Sequence, residues 1–238
     1  MFRKLLLLLE SKKVHIESFV FLNLFQRFLY HFVKKFMKRE KLVLAYSGGL
    51  DTSVLVHWLT SEGYDVIALC LDLGQQVEDL EAIRDKGHKA GAVEVLLENV
   101  QEEFVRDFVV PAIQWNAIYE GTYLLGTSLA RPLIAKKQIE VAQQYGASAV
   151  GHGATGKGND QVRFELSYYS LQPDIRVVAP WKIPEFFKKY PGRTELLAYA
   201  QENGIHVKAT AQQPWSSDEN LMHISFESGM LEDPWHCL

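Results

Sequence analysis

The residues best suited to chemistry lie in one short polar segment, Ala45–Ser53, which reads AYSGGLDTS. It follows the apolar run Leu42–Leu44 and precedes a helical pattern, so the sequence predicts a strand, a tight turn and the start of a helix. Glycines let the backbone approach a ligand closely, and the first N–H groups of a helix have no partner inside it. Such a turn binds anions, and phosphate is the ligand that we expect.

A second glycine-rich segment, Gly151–Asp160, follows the apolar run 147–150 and precedes a helical pattern that extends to about Leu171. It almost spells a Walker A loop, but Gly158 stands where that loop needs a Ser or Thr for Mg²⁺, and we reject this interpretation. Four glycines in eight residues still indicate a backbone that wraps around a polar ligand. A surface loop with no ligand is the alternative.

From residue 42 onward, short apolar runs alternate with helical patterns. Strands are predicted at 42–46, 65–71, 93–97 and 147–150, and helices at 51–62, 78–90, 101–119 (one or more) and 128–145, with a further helical segment that ends near 171. Strands separated by helices of crossover length predict an α/β fold whose parallel sheet is covered on both faces. Such sheets bind ligands at the carboxyl ends of their strands, where both glycine-rich segments lie.

The composition is that of a globular protein with unevenly distributed charge. The 238 residues are 47% hydrophobic with a net charge of −4, and residues 1–41 carry ten basic and three acidic side chains against fifteen and twenty-six in 42–238. The acidic main domain argues against broad nucleic-acid binding, and we expect no nucleic acid partner. Two cysteines, Cys70 and Cys237, form neither a disulfide framework nor a metal-ligand cluster, so we assign no metal ligands and expect a reducing, cytoplasmic location.

The first 40 residues differ from the rest of the chain. Phenylalanines from Phe21 to Phe36 recur at helical spacing, and a lysine-rich stretch follows them. The longest uncharged run, Ser18–Gln26, is about half of a bilayer span, so no transmembrane segment is predicted. A basic amphipathic helix at a membrane surface, an organellar transit peptide and an extension with no selected role all remain open.

Three further blocks accompany the first motif, namely Tyr123–Pro132, His152–Glu165 and Trp215–Leu221. The first motif resembles the pyrophosphatase loop of the ATP-pyrophosphatase (PP-loop) superfamily, and the later blocks, in the same order, resemble argininosuccinate synthase. The resemblance runs from about Leu42 to Pro234. It implies a parallel-sheet nucleotide-binding domain that is adenine nucleotide alpha hydrolase-like and Rossmann-like, followed by the beginning of an α+β synthetase domain.

The activity that the resemblance implies is an ATP-dependent carbon–nitrogen ligase of arginine biosynthesis and the urea cycle. The ureido oxygen of citrulline attacks the α-phosphorus of ATP to give citrullyl-AMP and pyrophosphate, and the aspartate amine then displaces AMP. ATP, Mg²⁺, citrulline and aspartate are therefore the expected ligands. The first step needs positioning and charge neutralisation, which backbone amides and Mg²⁺ supply.

The resemblance also assigns residues to these ligands. The ATP contacts that it implies are Ala45, Tyr46, Ser47, Gly48, Gly49, Leu50, Asp51, Thr52, Ser53, Leu71, Gly151, His152, Gly153, Ala154, Thr155, Gly156, Lys157, Gly158 and Asn159. The citrulline and aspartate contacts that it implies are Tyr123, Ser128, Thr155, Asn159, Asp160, Arg163, Ser216 and Ser225. Ser47, Asp51 and Thr155 are the expected catalytic residues. Because a carboxylate beside a polyphosphate is repulsive, Asp51 must either cap the helix or reach Mg²⁺.

The expected domains are the basic amphipathic extension (1–40), the nucleotide-binding domain (41–204) and the start of a synthetase domain (205–238). Members of the family continue well beyond the position of Leu238, through the rest of a second domain and a C-terminal arm used in tetramer formation. We therefore expect the geometry of the ATP site in this polypeptide, but neither full turnover nor the homotetramer of the family from it alone.

Two alternatives to this function stay open. Another PP-loop adenylating enzyme, such as a tRNA thiouridylase, typically needs a pair of reactive cysteines, and only Cys70 and Cys237 are present. A catalytically incomplete fragment that binds nucleotide is the other alternative. Individual site residues also have structural interpretations, such as a core aromatic for Tyr123 or a solvated helix residue for Arg163. No chemistry is assigned to His57, His88, His206 and His223.

Overall fold

The computed structural model describes residues 39–76, 79–156, 158–205, 216–227, 229–233 and 235. The helical pattern predicted from Phe21 to Phe36 lies outside the described residues. Among the described residues, no helix combines the length and the apolar character that crossing a bilayer requires.

Five parallel strands form the central sheet: β1 (Glu40–Ala45), β2 (Tyr64–Asp72), β3 (Glu94–Asn99), β4 (Ala149–Gly151) and β5 (Arg176–Val178). Their order across the sheet is β3–β2–β1–β4–β5, and Leu44 of β1 pairs with both Ala68 and Gly151. The chain thus builds outward from β1 in both directions, and the strand order reverses between β1 and β4. Loops that diverge at such a boundary leave a crevice, which is where open α/β sheets bind ligands.

Helices cover both faces of this sheet. The helical elements are α1 (Leu50–Ser61), α2 (Leu80–Lys89), α3 (Gln101–Phe104), a π-helical turn (Val105–Val109), α4 (Val110–Gln114), α5 (Gly126–Tyr145), α6 (Asn159–Leu171), a 3₁₀ turn (Pro180–Lys182), α7 (Pro184–Lys189), α8 (Arg193–Glu202) and another 3₁₀ turn (Gly229–Glu232). One core cluster packs α1, α2, α7 and α8 against one face, and a second packs the helical segment 101–114, α5 and α6 against the other. Because successive strand residues point to opposite faces, Leu42 and Leu44 belong to the first cluster and Val43 to the second.

A separate antiparallel hairpin consists of β6 (Ser216–Glu219) and β7 (Ile224–Glu227). Its turn docks on the main domain in two places. The Leu221 amide donates to the Leu73 carbonyl at 2.9 Å, and the Gly126 amide donates to His223 Nε2 at 2.8 Å. The hairpin therefore ties the loop after β2 to the start of α5.

Gly74 is a position at which this docking leaves no room for a side chain. Its φ is +91°, and a Cβ added there would lie 2.4 Å from Leu221 Cγ. We expect Gly74→Ala to displace the hairpin and to lower the free energy of unfolding by about 2 kcal/mol. Gly146→Ala is the matched control for urea denaturation, because Gly146 has a φ of +62° and nothing within 4 Å of an added Cβ; its expected loss is about 1 kcal/mol. Equal losses for the two variants would contradict the docking.

The predicted α/β fold with a parallel sheet is confirmed, and each strand and helix predicted between residues 42 and 171 has a counterpart. One predicted boundary differs from the observed one by more than two residues. The helical segment expected through residue 119 ends at Gln114, and the chain leaves it through Asn116 at a φ of +49°. No element was predicted at β5, α7, α8 or the hairpin. The strands among these have three or four residues and are too short to show an alternating pattern.

Candidate functional site

The first glycine turn connects β1 to α1 and leaves a row of backbone amides free. The amides of Gly48, Leu50, Asp51 and Thr52 have no hydrogen-bond partner among the described residues. Gly48 lies at a φ of +75°. The Ser47 Oγ lies 3.1 Å from Thr52 Oγ1, and this contact connects the two ends of the turn. Since the positive end of the α1 dipole adds to these amides, the turn attracts an anion.

Asp51 lies in the first turn of α1 but does not cap this helix, which has no side-chain hydrogen bond at its N-terminus. Asp51 is an exposed residue, yet partial burial of its carboxyl group raises the pKa of that group by desolvation, and the positive charge of Arg193 opposes this rise. Of the two roles expected for Asp51, helix capping is therefore not observed. A carboxylate that caps no helix and lies beside an anion site suits a Mg²⁺ ion that it shares with phosphate oxygens. Within the described part of the chain, no group of three or more Asp, Glu, His or Cys side chains is placed to hold a metal ion.

The second glycine turn lies against the first one. A Cβ added to Gly153 would lie 3.2 Å from Leu55 Cδ1 and 3.7 Å from Thr52 Cγ2, both on α1. Because β1 and β4 are paired and parallel, both turns leave the same edge of the sheet. Gly158 precedes α6 with no side-chain cap, which adds a second uncapped helix N-terminus at this edge. Lys157 and the side chain of Ser216 lie outside the described residues.

His152 lies in the core and not in the crevice. Its side chain is 0% exposed, stacks in parallel on Phe164 with 5.1 Å between ring centroids, and accepts the Ala154 N–H at Nδ1 over 3.2 Å. Burial lowers the pKa of His152 to about 4, although the Glu165 carboxylate acts to raise it. Only the backbone of His152 is therefore placed to contact a ligand.

The neutral state of His152 predicts a pH dependence of stability. The unfolded chain binds a proton at His152 near pH 6.5, and the folded chain only near pH 4. The contribution of neutral His152 to the free energy of unfolding is therefore intact above pH 6.5 and is lost as the pH falls toward 4. Glu165, Lys182 and Arg131 are the charged groups that act on the ring. The free energy of unfolding should fall through this group by about 1 kcal/mol per pH unit in that window. Urea denaturation of the wild type and of His152→Asn, whose side chain does not titrate in this window, gives the slope of the free energy of unfolding against pH for each protein. Equal slopes would contradict the assignment of a neutral, buried His152.

Four charged side chains form a chain of ion pairs beside the second turn. Asp160 accepts hydrogen bonds from Arg163 Nη1 at 2.6 Å and from Arg131 Nε at 2.8 Å, and Arg131 Nη2 reaches Asp218 of the hairpin at 2.8 Å. Asp160 and Arg163, both expected at the substrate site, thus lie together and neutralise each other. An amino acid carries one carboxylate and one ammonium group, so its carboxylate can pair with Arg163 and its ammonium group with Asp160.

The start of α5 and the hairpin bring together three of the other residues expected at the substrate site. Ser128 Oγ is buried and has no hydrogen-bond partner within the described residues. Ser225 Oγ lies 3.3 Å from Thr127 Oγ1, and the Tyr123 ring packs edge-on against His223 with 5.0 Å between centroids. The Ser128 hydroxyl therefore retains unused hydrogen-bonding capacity.

The end of β2 lies beside the first glycine turn and is held by Gln75. Gln75 Nε2 donates to the Leu71 carbonyl at 2.6 Å, and its Oε1 accepts the Leu73 amide at 2.7 Å. Leu71, expected to contact adenosine through its backbone, lies two positions beyond Leu69, the sheet partner of Ala45. This places the expected adenosine contact next to the expected phosphate contacts.

Three residues that shape the site were not predicted from the sequence. Arg131 lies inside the block Tyr123–Pro132, three positions after Ser128, so helical spacing on α5 was the signal that could have found it. Gln75 contacts backbone groups two and four positions before it in the chain, and His223 contacts an amide 97 positions away. No local pattern indicates contacts of the last kind.

Cys70 lacks the reactivity that a thiouridylase cysteine needs. It is buried within β2, and desolvation, with a smaller effect of the Asp72 charge, raises its pKa to about 11. The side chain is therefore a thiol at neutral pH and a poor nucleophile. Cys237 lies outside the described residues.

Comparison with known proteins shows which family the chain resembles. A family model described as the arginosuccinate synthase N-terminal HUP domain matches residues 41–206. Among similar curated proteins, the argininosuccinate synthases of Homo sapiens, Thermotoga maritima and Saccharomyces cerevisiae are 60%, 57% and 55% identical to the chain over 196, 198 and 198 residues. These alignments cover 82–83% of this chain and 47–48% of the relatives. The chain thus spans about half the length of the curated relatives that it matches.

A solved structure described as a predicted subunit of tRNA methyltransferase from Methanocaldococcus jannaschii has a TM-score of 0.44 and 15% identity, and the match covers 68% of this chain and 75% of that one. This likeness is too low to carry an argument about function. The family model, in contrast, matches well over half of the chain. The chain therefore belongs to the argininosuccinate synthase family.

Proposed function

We propose that this chain binds ATP and takes part in the ligation of citrulline and aspartate to argininosuccinate, with AMP and pyrophosphate as the other products. The observation that carries the proposal is the meeting of two glycine turns, with free amides, at the boundary between β1 and β4. A triphosphate suits this place because two uncapped helix N-termini and several free amides lie at one edge of the sheet.

In the proposed first step, the ureido oxygen of citrulline attacks the α-phosphorus of ATP and pyrophosphate leaves. The free amides of the first turn bind the departing pyrophosphate, and the hydroxyls of Ser47 and Thr52, one of which donates to the other, add one further donor. These groups are in place before the reaction, so they stabilise the developing charge without rearranging. Mg²⁺, held by Asp51 together with the phosphates, would supply further charge neutralisation.

In the proposed second step, the aspartate amine attacks the ureido carbon and AMP leaves. Arg163 offers a guanidinium for a substrate carboxylate, and Asp160 offers an acceptor for an ammonium group. The free hydroxyl of Ser128 lies at the start of α5, where it can bind citrulline. Thr155 and Asn159 are exposed residues of the second glycine turn, so they can serve both ATP and the amino acids.

The proposal retains the domain division 1–40, 41–204 and 205–238. It also retains a cytoplasmic location, since a chain with only two cysteines suits a reducing compartment. The excess of acidic residues in 42–238 supports small molecules, and not nucleic acids, as the partners of the main domain.

A pyrophosphate-release assay with the 238-residue chain, ATP and Mg²⁺, run with and without citrulline, tests the proposal. We expect release that depends on citrulline and falls at least about tenfold in Asp51→Asn, because that variant loses the carboxylate that suits Mg²⁺. Asp85→Asn, which changes an exposed aspartate on α2, is the matched control and should leave the rate unchanged. Binding of ATP without citrulline-dependent release would favour the incomplete nucleotide-binding fragment. A chain that binds no ATP would overturn the proposal.

A further inference from the structure

His152 is a buried titratable residue that the proposed chemistry does not use. Its ring is fully buried and packs on α6, where it stacks on Phe164 at an interplanar angle of 5° and lies 6.4 Å from the centroid of the Tyr168 ring. Aliphatic or phenyl groups would fill this space without adding polar atoms. Packing alone therefore does not explain a histidine at this buried position, whereas the polar contacts of its two ring nitrogens do.

The first nitrogen acts on the second glycine turn. Nδ1 accepts the backbone N–H of Ala154 at 3.2 Å, two residues further along the chain. An accepting Nδ1 carries no proton, so the proton of the neutral ring is on Nε2. This hydrogen bond fixes the direction in which the backbone turns at Gly153, the residue that lies against α1.

The second nitrogen, Nε2, faces Glu165, which binds another residue that contacts the same turn. Nε2 is buried, has no hydrogen-bond partner among the described residues, and lies 3.7 Å from Glu165 Oε1. Glu165 in turn binds Lys182 Nζ at 3.0 Å, and the Lys182 side chain packs beside Gly156, 3.7 Å from an added Cβ. His152 and Lys182 thus support the turn at its beginning and near its middle, and Glu165 lies between them.

We infer that the His152 side chain is a positioning residue, which holds the second glycine turn in its nucleotide-binding shape through the Nδ1 hydrogen bond to Ala154. The inference rests on the proposed function, since it names the nucleotide as the ligand of this turn. It assigns the His152 side chain no contact with ATP. Its side chain acts only through the backbone of residues 153–156.

Three substitutions separate this role from simple packing. His152→Asn places an oxygen near the position of Nδ1 and keeps the acceptor for Ala154. His152→Gln places its amide near the position of Nε2 and loses that acceptor, while His152→Leu loses both. We expect the dissociation constant of the ATP analogue AMP-PNP with Mg²⁺, measured by calorimetry on the 238-residue chain, to rise no more than about threefold in the Asn variant and at least about tenfold in the Gln and Leu variants.

Wild-type affinity in His152→Leu, or equal losses in the Asn and Gln variants, would overturn the inference. If the Leu variant does not fold, the comparison of Asn with Gln decides. If the wild type itself binds no analogue, the proposed function fails, and hydrogen exchange of the Gly153–Gly156 amides decides the inference separately. Faster exchange in His152→Gln than in His152→Asn would support the positioning role, and equal exchange would overturn it.

Discussion

Gln138→Leu is expected to lower the free energy of unfolding by about 3–5 kcal/mol, because it leaves several buried polar groups without partners. Gln138 is fully buried on α5. Its Nε2 donates to the carbonyls of Val43 at 3.0 Å and Gly151 at 2.8 Å, and its Oε1 accepts the Tyr168 hydroxyl at 2.6 Å. Leucine has a similar volume and can make none of these bonds. Urea denaturation at neutral pH measures the loss.

The same substitution should weaken nucleotide binding. Val43 lies in β1 and Gly151 at the end of β4, so Gln138 fastens the two strands from which the glycine turns emerge. Without this link the two turns are no longer held in fixed relation, and a ligand must order them as it binds. We expect the affinity for AMP-PNP with Mg²⁺ to fall in Gln138→Leu even at temperatures where the variant is folded.

Tyr168→Phe provides the control for the stability measurement. It removes the hydroxyl that Gln138 accepts and keeps the ring that packs against Phe164. Combining Tyr168→Phe with Gln138→Leu leaves no unpaired group between the two side chains, so the double variant should lose less stability than the sum of the single variants. Strictly additive losses would mean that the hydrogen bond between these residues contributes nothing.

The first glycine turn could be predicted because its features are local. The apolar run Leu42–Leu44, the two glycines and the helical pattern after Asp51 follow one another in the sequence, and the structure has a strand, a turn with free amides and a helix in these places. Helical and strand periodicity predicted the sheet and its two helical layers in the same way, because each pattern depends on residues that lie a few positions apart in the sequence.

The supports of the site could not be predicted in this way. Gln138 contacts a carbonyl 95 positions away, and His223 an amide 97 positions away. Such bonds join a side chain to backbone groups of another element, so they produce no periodic pattern in the sequence. Resemblance to a family supplied Asp160 and Arg163 as site residues, but it did not predict that they pair with each other or that Arg131 links them to the hairpin.

Arg131 is therefore the residue whose loss should damage the substrate site most. Arg131→Gln leaves Asp218 unpaired and Asp160 with Arg163 as its remaining ion-pair partner in the described structure. The hairpin then loses an ion pair to α5, and Arg163 becomes more tightly neutralised by Asp160. The side chains of Arg131, Asp160 and Asp218 are 19%, 24% and 31% exposed, so the loss of stability should lie between that of buried and surface pairs, at about 1–3 kcal/mol.

The effect on chemistry should exceed the effect on folding. Citrulline-dependent pyrophosphate release should fall about 100-fold in Arg131→Gln, because Asp160 and the hairpin both lose the group that positions them. Arg131→Lys should restore little, since an ammonium cannot bind two carboxylates with the fork of a guanidinium. Lys137→Gln is the matched control: Lys137 lies on the same helix, is 16% exposed and bridges Glu103 and Glu140, away from the glycine turns. If Lys137→Gln and Arg131→Gln slow the reaction equally, general weakening of α5 and not the link from Asp160 to Asp218 is responsible.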